Sequence, residues 1–176
     1  MKVLLGAGSQ RRDGWFTIDA NPTSGCDLIA DARDLRAVLG DGSCDELEAV
    51  DVLEHISYRH TGATLWEWRR VLKQGGRLFV QVPDADEIMR WYVNEDLRLL
   101  RTDGSVPRTH LAGAMWRLLG GHGDDRYASI DQWHLNAHNA MFSARSLATE
   151  LECAGFGVTR IKSNAHPNLQ AWAVRL

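Results

Sequence analysis

Few cysteines, little net charge and no long apolar run characterise this chain of 176 residues, and each shortage argues against a class of protein. The three cysteines, Cys26, Cys44 and Cys153, are odd in number and too far apart for a disulfide framework or a CxxC metal site. A net charge of -3 offers no electrostatic footprint for nucleic acid or for an anionic membrane. No segment approaches the about 20 apolar residues of a membrane span. We therefore expect a cytoplasmic protein with reduced thiols and with neither a nucleic-acid nor a membrane partner.

Length and composition predict one globular domain covering residues 1–176. Hydrophobic residues make up 44% of the chain and charged residues 24%, which are ordinary proportions for a soluble domain. A domain of this length buries about 70% of the surface that its unfolded chain exposes, which is enough for a core. The sequence carries no signal for the oligomeric state.

Strand-like and helix-like segments alternate in the N-terminal half. We predict strands over residues 2–5, 15–18, 27–30 and 47–52, and a short helix over residues 33–39. Residues 64–72 form a stronger helix, because their apolar side chains recur at spacings of three and four. Gly75 and Gly76 are expected to end this helix before a strand over residues 77–82. The alternation predicts an α/β, Rossmann-like, doubly wound and mostly parallel sheet, which binds ligands beyond the carboxyl ends of its strands.

The C-terminal half contains a longer connection and a simpler end. We predict an insertion of helices and loops at about residues 86–141, with helical patches at 88–100 and 111–119, and assign substrate recognition to it. A helix over residues 143–154 begins at Ser143, a residue type that caps helix N-termini. Strands over residues 157–162 and 169–175 follow, and their short connection predicts an antiparallel hairpin.

Glycines or acids follow each of the first three predicted strands. Gly6 and Gly8 follow the first, Asp19 ends the second, and Asp31 follows the third. Glycines let the backbone approach a ligand closely, and a carboxylate at a strand end accepts hydrogen bonds from hydroxyls or an amine. These three strand ends predict a pocket for a nucleoside-like cofactor.

The connection between the first two strands distinguishes among cofactors. A dinucleotide needs G-x-G-x-x-G opening a helix whose N-terminus holds the pyrophosphate, with an acid about 20 residues further on. Here Asp19 lies 11 residues after Gly8, which leaves room only for a shortened helix. Because a cofactor without phosphates loses little from that shortening, the spacing favours S-adenosylmethionine over a dinucleotide.

Longer motifs identify a family resemblance. They are LGAGSQRRDGWFTIDANP, LIADARDL, CDELEAVDVLEHI, LWEWRRVLKQGGRLFVQVPD, GGHGDD and FSARSLATELECAGF. With these motifs the chain resembles class I S-adenosylmethionine-dependent methyltransferases, of the small bacterial, type 11-like group often found with cell-surface sugar biosynthesis. The resemblance covers most of the chain except about residues 85–118. It implies the class I methyltransferase fold and S-adenosylmethionine as cofactor.

The resemblance also implies cofactor-binding roles. Backbone of the glycine turn would approach the methionine and ribose, Asp19 would bind the ribose hydroxyls, and Asp31 would bind the adenine amine. The full set of cofactor residues implied in this way is Gly6, Ala7, Gly8, Asp19, Asp31, Ala32, Ala49, Val50 and Asp51. One departure from the family is Ala7, at a position that is often cysteine.

Methyl transfer to a hydroxyl requires a base that removes the acceptor proton, and histidine titrates near neutral pH. Among the seven histidines we predict His138 and His55 as catalytic residues. We predict His122, Trp133 and His134 as substrate-binding residues. His134 and His138 would share a helical face and could hold a metal with nearby aspartates, but no third ligand has a defined place, and we predict no metal.

The predicted function is methyl transfer from S-adenosylmethionine to a small-molecule or saccharide acceptor, at a hydroxyl. Two alternatives stay open. One is a non-catalytic protein that keeps the methyltransferase fold and binds without turnover. The other is a nicotinamide-dependent oxidoreductase, which would need the longer phosphate-binding turn.

Overall fold

The computed structural model describes residues 1–100, 109–120 and 137–176. The strands in these ranges are β1 (Lys2–Leu5), β2 (Trp15–Asp19), β3 (Leu28–Ile29), β4 (Cys44–Val50), β5 (Leu72–Pro83), β6 (Phe156–Ser163) and β7 (Asn168–Arg175). The α-helices are α1 (Thr61–Val71), α2 (Ala85–Val93), α3 (His110–Leu119) and α4 (Ala144–Cys153). Short 3₁₀ helices lie at Leu53–His55 and Leu97–Leu99.

All seven strands belong to one sheet in the order β3-β2-β1-β4-β5-β7-β6. The pairs among β1 to β5 are parallel, whereas β7 is antiparallel to both β5 and β6. The predicted mostly parallel sheet with a C-terminal antiparallel hairpin is therefore confirmed. The strand order reverses between β1 and β4, and such a reversal opens a crevice at the carboxyl ends of the two strands.

The main core lies between this sheet and the helices α1 and α4. Leu65 and Trp68 of α1 and Leu147 and Leu151 of α4 are fully buried against the inward side chains of the sheet. Apolar burial of this kind is worth about 1.5–3 kcal/mol for each large side chain. A smaller cluster, centred on Trp91, joins α2 to α3 away from that core. None of the helices in the described ranges is long and apolar enough to cross a membrane.

Three of the helix predictions are wrong in whole or in part. Residues 33–39 form turns rather than a helix, because the Leu35 amide donates to the Glu67 carboxylate at 2.8 Å. Helix α1 ends at Val71 and not at the two glycines, since Leu72 already has an extended backbone and begins β5. The helix predicted over residues 88–100 ends at Val93 and is followed by a 3₁₀ turn.

The connection between β1 and β2 is shorter than a helix allows. Residues 6–14 contain turns and no helix, so the helix that was predicted to be shortened is absent.

At the other end of the chain, α4 begins where predicted. Ser143 caps it by accepting a hydrogen bond from the Ser146 amide, and Ser146 bonds back to the Ser143 amide.

Candidate cofactor and acceptor site

The glycine turn after β1 forms the first wall of the site. Gly6 and Gly8 have φ angles of +63° and +53°, a left-handed backbone that favours glycine. A Cβ at Gly6 would lie 2.2 Å from Val52 Cγ2, whereas a Cβ at Gly8 would meet no atom within 4 Å. Ala7 between them is buried, and its amide donates to the Ile18 carbonyl at 3.2 Å. Packing therefore requires glycine at the first position, and open space beside the second lets a ligand approach the backbone.

The Asp19 carboxylate, at the end of β2, holds this turn in place. One oxygen accepts the Gly8 amide at 2.7 Å, and the other accepts the Asn21 amide at 2.7 Å. An ionised carboxylate has about four lone-pair sites, so two remain for further donors. Asp19 can therefore shape the glycine turn and accept ribose hydroxyls with the same side chain.

Asp31 and Ala32 follow β3, and each already has a protein partner. The Asp31 carboxylate accepts from the Arg33 amide at 2.8 Å and from the Arg33 guanidinium at 2.5 Å. These hydrogen bonds hold the pKa of Asp31 below its usual value. The Ala32 carbonyl accepts the Trp68 indole N–H at 2.9 Å, which leaves the Ala32 amide as the backbone group that could read an adenine edge.

The end of β4 contributes a residue in an unusual conformation. Ala49 is buried and Val50 half-buried, and Asp51 then adopts a φ of 53°, which is rare outside glycine. Its amide donates to the Gln81 carbonyl at 3.0 Å, and its carboxylate accepts from the Gln81 side chain at 3.2 Å. Gln170 in turn donates to the Gln81 side chain at 2.9 Å. Surrounding protein desolvates the carboxyl and raises the pKa of Asp51. Such backbone strain is found at ligand-binding positions.

The two predicted catalytic histidines, far apart in sequence, meet beside this strand end. The rings of His55 and His138 lie 4.9 Å apart, edge to face at 77°. His55 Nδ1 lies 3.1 Å from the Ala137 carbonyl, which can only accept, so this nitrogen carries the proton. Asn139 joins the segments further by donating its amide to the Glu54 carbonyl at 2.6 Å and its side chain to the His55 carbonyl at 2.9 Å. Burial lowers the pKa of His55 and favours a neutral imidazole.

Glu54 completes this group, and the sequence analysis missed it. Its side chain is buried at 1% exposure, and Oε2 has no hydrogen-bond partner within the described residues. Burial, and then the neighbouring Asp51 charge, raise the pKa of Glu54 well above its usual value. The sequence shows only an acid between the apolar residues Leu53 and Ile56, and its burial within the 3₁₀ helix Leu53–His55 comes from the fold.

Ligand atoms of Glu54, His55 and His138 all lie within 4.8 Å of one another. The structure thus brings the two catalytic candidates together with a third ionisable group. The three predicted substrate residues, His122, Trp133 and His134, lie outside the described residues.

Several solved methyltransferases are similar to this chain in structure. No protein-family model matches the chain, and no curated protein is significantly similar in sequence. An S-adenosylmethionine-dependent methyltransferase of Thermotoga maritima, 16% identical, gives a TM-score of 0.61 over 99% of this chain and 82% of its own. Another, from Aquifex aeolicus, is 14% identical, with a TM-score of 0.58 over 100% of this chain and 82% of its own.

A third similar structure contains a product of methyl transfer. It is the 1,6-didemethyltoxoflavin-N1-methyltransferase of Burkholderia thailandensis, with bound 1,6-didemethyltoxoflavin and S-adenosylhomocysteine. It is 17% identical, with a TM-score of 0.57 over 98% of this chain and 70% of its own. Together with the sheet order described above, these similarities show that the chain has the fold of class I S-adenosylmethionine-dependent methyltransferases.

Proposed function

We propose that this protein transfers a methyl group from S-adenosylmethionine to a hydroxyl of a small molecule or saccharide. The observation that carries the proposal is the Asp19 carboxylate bonded to the Gly8 amide, beside a turn with open space in front of it. In the bound complex, the turn would approach the methionine and ribose through backbone, and Asp19 would accept hydrogen bonds from the ribose hydroxyls. Asp31 and Ala32 would then bind the adenine.

The glycine turn argues for this cofactor against a nicotinamide dinucleotide. Residues 6–14 contain no helix, so the glycine turn does not lead into a helix N-terminus that could hold a pyrophosphate. S-adenosylmethionine has no phosphate and needs none. A protein of the same fold is described as an S-adenosylmethionine-dependent methyltransferase, and the structure of another contains S-adenosylhomocysteine, the demethylated form of this cofactor.

The acceptor would react beside the two histidines. In the transfer, the acceptor oxygen forms a bond to the methyl carbon, and the electron pair of the broken C–S bond returns to sulfur, giving S-adenosylhomocysteine. The hydroxyl proton passes to His138, while His55, held by the Ala137 carbonyl, orients the neighbouring ring. Because the sulfonium is already reactive, alignment and exclusion of water do most of the remaining work.

Two experiments test the proposal in sequence. Thermal denaturation with S-adenosylmethionine, S-adenosylhomocysteine or NAD compares the cofactors, since a ligand that binds the native state raises the melting temperature. We expect the first two to raise it and NAD to leave it unchanged. Transfer of a labelled methyl group to a panel of hydroxylated small molecules and sugars then tests turnover. Stabilisation by NAD would favour the oxidoreductase, and cofactor binding without transfer to any acceptor would favour the non-catalytic protein.

A further inference from the structure

We propose that Glu54, His55 and His138 form a binding site for a divalent transition-metal ion, of which zinc is the representative. Two imidazoles and one carboxylate are a ligand set that zinc and related ions accept. The sequence predicted no metal site. In the proposed site, His138 shares the ion with His55 and Glu54 and not with His134. Metal binding is a property of the protein alone and does not depend on the proposed methyl transfer.

The separation of the ligand atoms fits a site that closes around an ion. One ligand atom from each of the three residues lies within 4.8 Å of the others. Zinc binds nitrogen and oxygen at about 2.0–2.2 Å, which places tetrahedral ligand atoms about 3.4 Å apart. The most distant pair must therefore approach by up to about 1.4 Å. Because the Ala137 carbonyl holds the His55 ring, rotation of the half-buried His138 ring would supply this movement.

Burial of Glu54 points independently to a ligand. A carboxylate that is 1% exposed, with Oε2 lacking a hydrogen-bond partner in the described part of the chain, is costly to keep in a folded protein. Buried charges are normally paired or coordinate metals. Ligand atoms of both imidazoles lie within 4.8 Å of a Glu54 carboxylate oxygen, and an ion held between the three residues would give the buried carboxylate a partner.

The surroundings of His55 are those of a metal ligand. Its Nδ1 donates to the Ala137 carbonyl, which leaves the Nε2 lone pair available. In most metal-binding histidines, the ring nitrogen that does not bind the metal donates a hydrogen bond to a carbonyl or carboxylate, and this bond fixes the tautomer and the ring orientation. The backbone around the site is equally constrained, because the Asn139 and Ala140 amides both donate to the Glu54 carbonyl. The His138 amide donates to the Leu119 carbonyl at 3.1 Å. The two chain segments that supply the ligands are thus fixed relative to each other.

Three protein ligands leave one coordination position open, as in catalytic zinc sites. An ion held by these residues would act as a Lewis acid and lower the pKa of a bound hydroxyl. His138 would then serve as a ligand instead of the base, and the hydroxyl proton would leave to solvent.

Cobalt is the probe for the test, because Co²⁺ in a site of low coordination absorbs visible light and Zn²⁺ does not. Full-length protein is stripped with a chelator and titrated with Co²⁺, without cofactor or acceptor. We expect one equivalent to bind and Zn²⁺ to displace it. Glu54→Gln and His138→Asn should each weaken Co²⁺ binding by more than about 100-fold, beyond the loss caused by an outer-shell substitution. His60→Ala is the matched control, since His60 is exposed and outside the cluster, and it should bind as the wild type does.

Two results of the Co²⁺ titration would contradict the metal site. Absence of Co²⁺ absorption in the wild type, or equal absorption in wild type and both cluster variants, would overturn the proposal. Circular dichroism checks that the variants fold, and His55→Gln provides a second conservative change if one of them does not. S-adenosylhomocysteine binding, measured by calorimetry on the same metal-free sample, separates failure of this proposal from failure of the proposed function.

Discussion

Substitution of Asp19 gives the most direct test of cofactor binding, because its carboxylate both holds the glycine turn and is proposed to accept the ribose hydroxyls. In Asp19→Asn the amide nitrogen must face either the Gly8 or the Asn21 amide, each now bonded at 2.7 Å, and donor would meet donor. A hydrogen bond to a charged group is worth about 1.5–3 kcal/mol. We therefore expect the melting temperature to fall by several degrees, and the affinity for S-adenosylhomocysteine to fall by roughly 10- to 150-fold from the lost ribose contacts.

Isothermal titration calorimetry with S-adenosylhomocysteine measures the affinity, and thermal denaturation measures the effect on the turn. The control is Asp13→Asn, which removes the same charge from an exposed residue of the same connection between β1 and β2. It should leave both the affinity and the melting temperature unchanged. If Asp19→Asn bound the ligand as tightly as the wild type, the strand ends would not form the adenosine site, and the reasoning would fail.

Four further substitutions test packing and hydrogen bonding in and near the site. Gly6→Ala should lower the free energy of unfolding by about 2–4 kcal/mol, through its left-handed backbone and a clash with valine, and Gly8→Ala by only about 1–2 kcal/mol, because its surroundings are open; urea denaturation compares them. The Thr17 amide, at 2.8 Å, and then the Thr17 hydroxyl, at 2.7 Å, donate to the Asp27 carboxylate and lower its pKa, and Thr17→Val removes only the hydroxyl. Since a lowered carboxyl pKa contributes stability that is present above its unfolded value and is lost as pH falls, the melting temperature of this variant should differ more from wild type at neutral than at acid pH. Glu54→Gln should raise the melting temperature of the metal-free protein, because it removes a buried carboxylate whose Oε2 has no hydrogen-bond partner within the described residues; a lower value would mean that the carboxylate is satisfied in another way.

Elements with local signals could be predicted from the sequence. β1 was predicted over residues 2–5, where it lies, because a short apolar run ending in glycine needs no distant partner to be recognised. The α4 helix and the β6–β7 hairpin carry similar local signals, a capping serine and two apolar strands with a short connection. The strand ends that line the candidate site followed from these predictions, because parallel strands place their carboxyl ends at one edge.

Elements decided by distant contacts could not be predicted. Residues 33–39 have the spacing of a short helix, but the Leu35 amide bonds to Glu67, which lies 32 residues further along the chain. Likewise, α1 stops at Val71 because the chain must pair with β4 from Leu72 onward, and the sequence signals only the later glycines. Tertiary hydrogen bonds outweigh local propensity in both places.

The contact between His55 and His138 likewise depends on residues far apart in the chain and could not be predicted from the sequence. The sequence justified His55 and His138 separately, each as a base, and offered His134 as the metal-binding neighbour of His138. The structure instead pairs His138 with His55, and the bond from His55 to Ala137 spans 82 residues. Glu54 was missed because its burial depends on that pairing, which brings the Asn139 and Ala140 amides onto the Glu54 carbonyl.

The base of the connection between α3 and α4 holds the backbone of His138. The chain leaves the described structure at Gly120 and returns at Ala137, and these two residues form an antiparallel bridge. The His138 amide donates to the Leu119 carbonyl beside the same bridge. The sequence predicts that substrate recognition lies in this connection, because binding residues are often carried by long connections on a rigid scaffold. We therefore predict that substitutions between residues 121 and 136 change which acceptor is methylated, and a panel of acceptors compared between variants and wild type checks this.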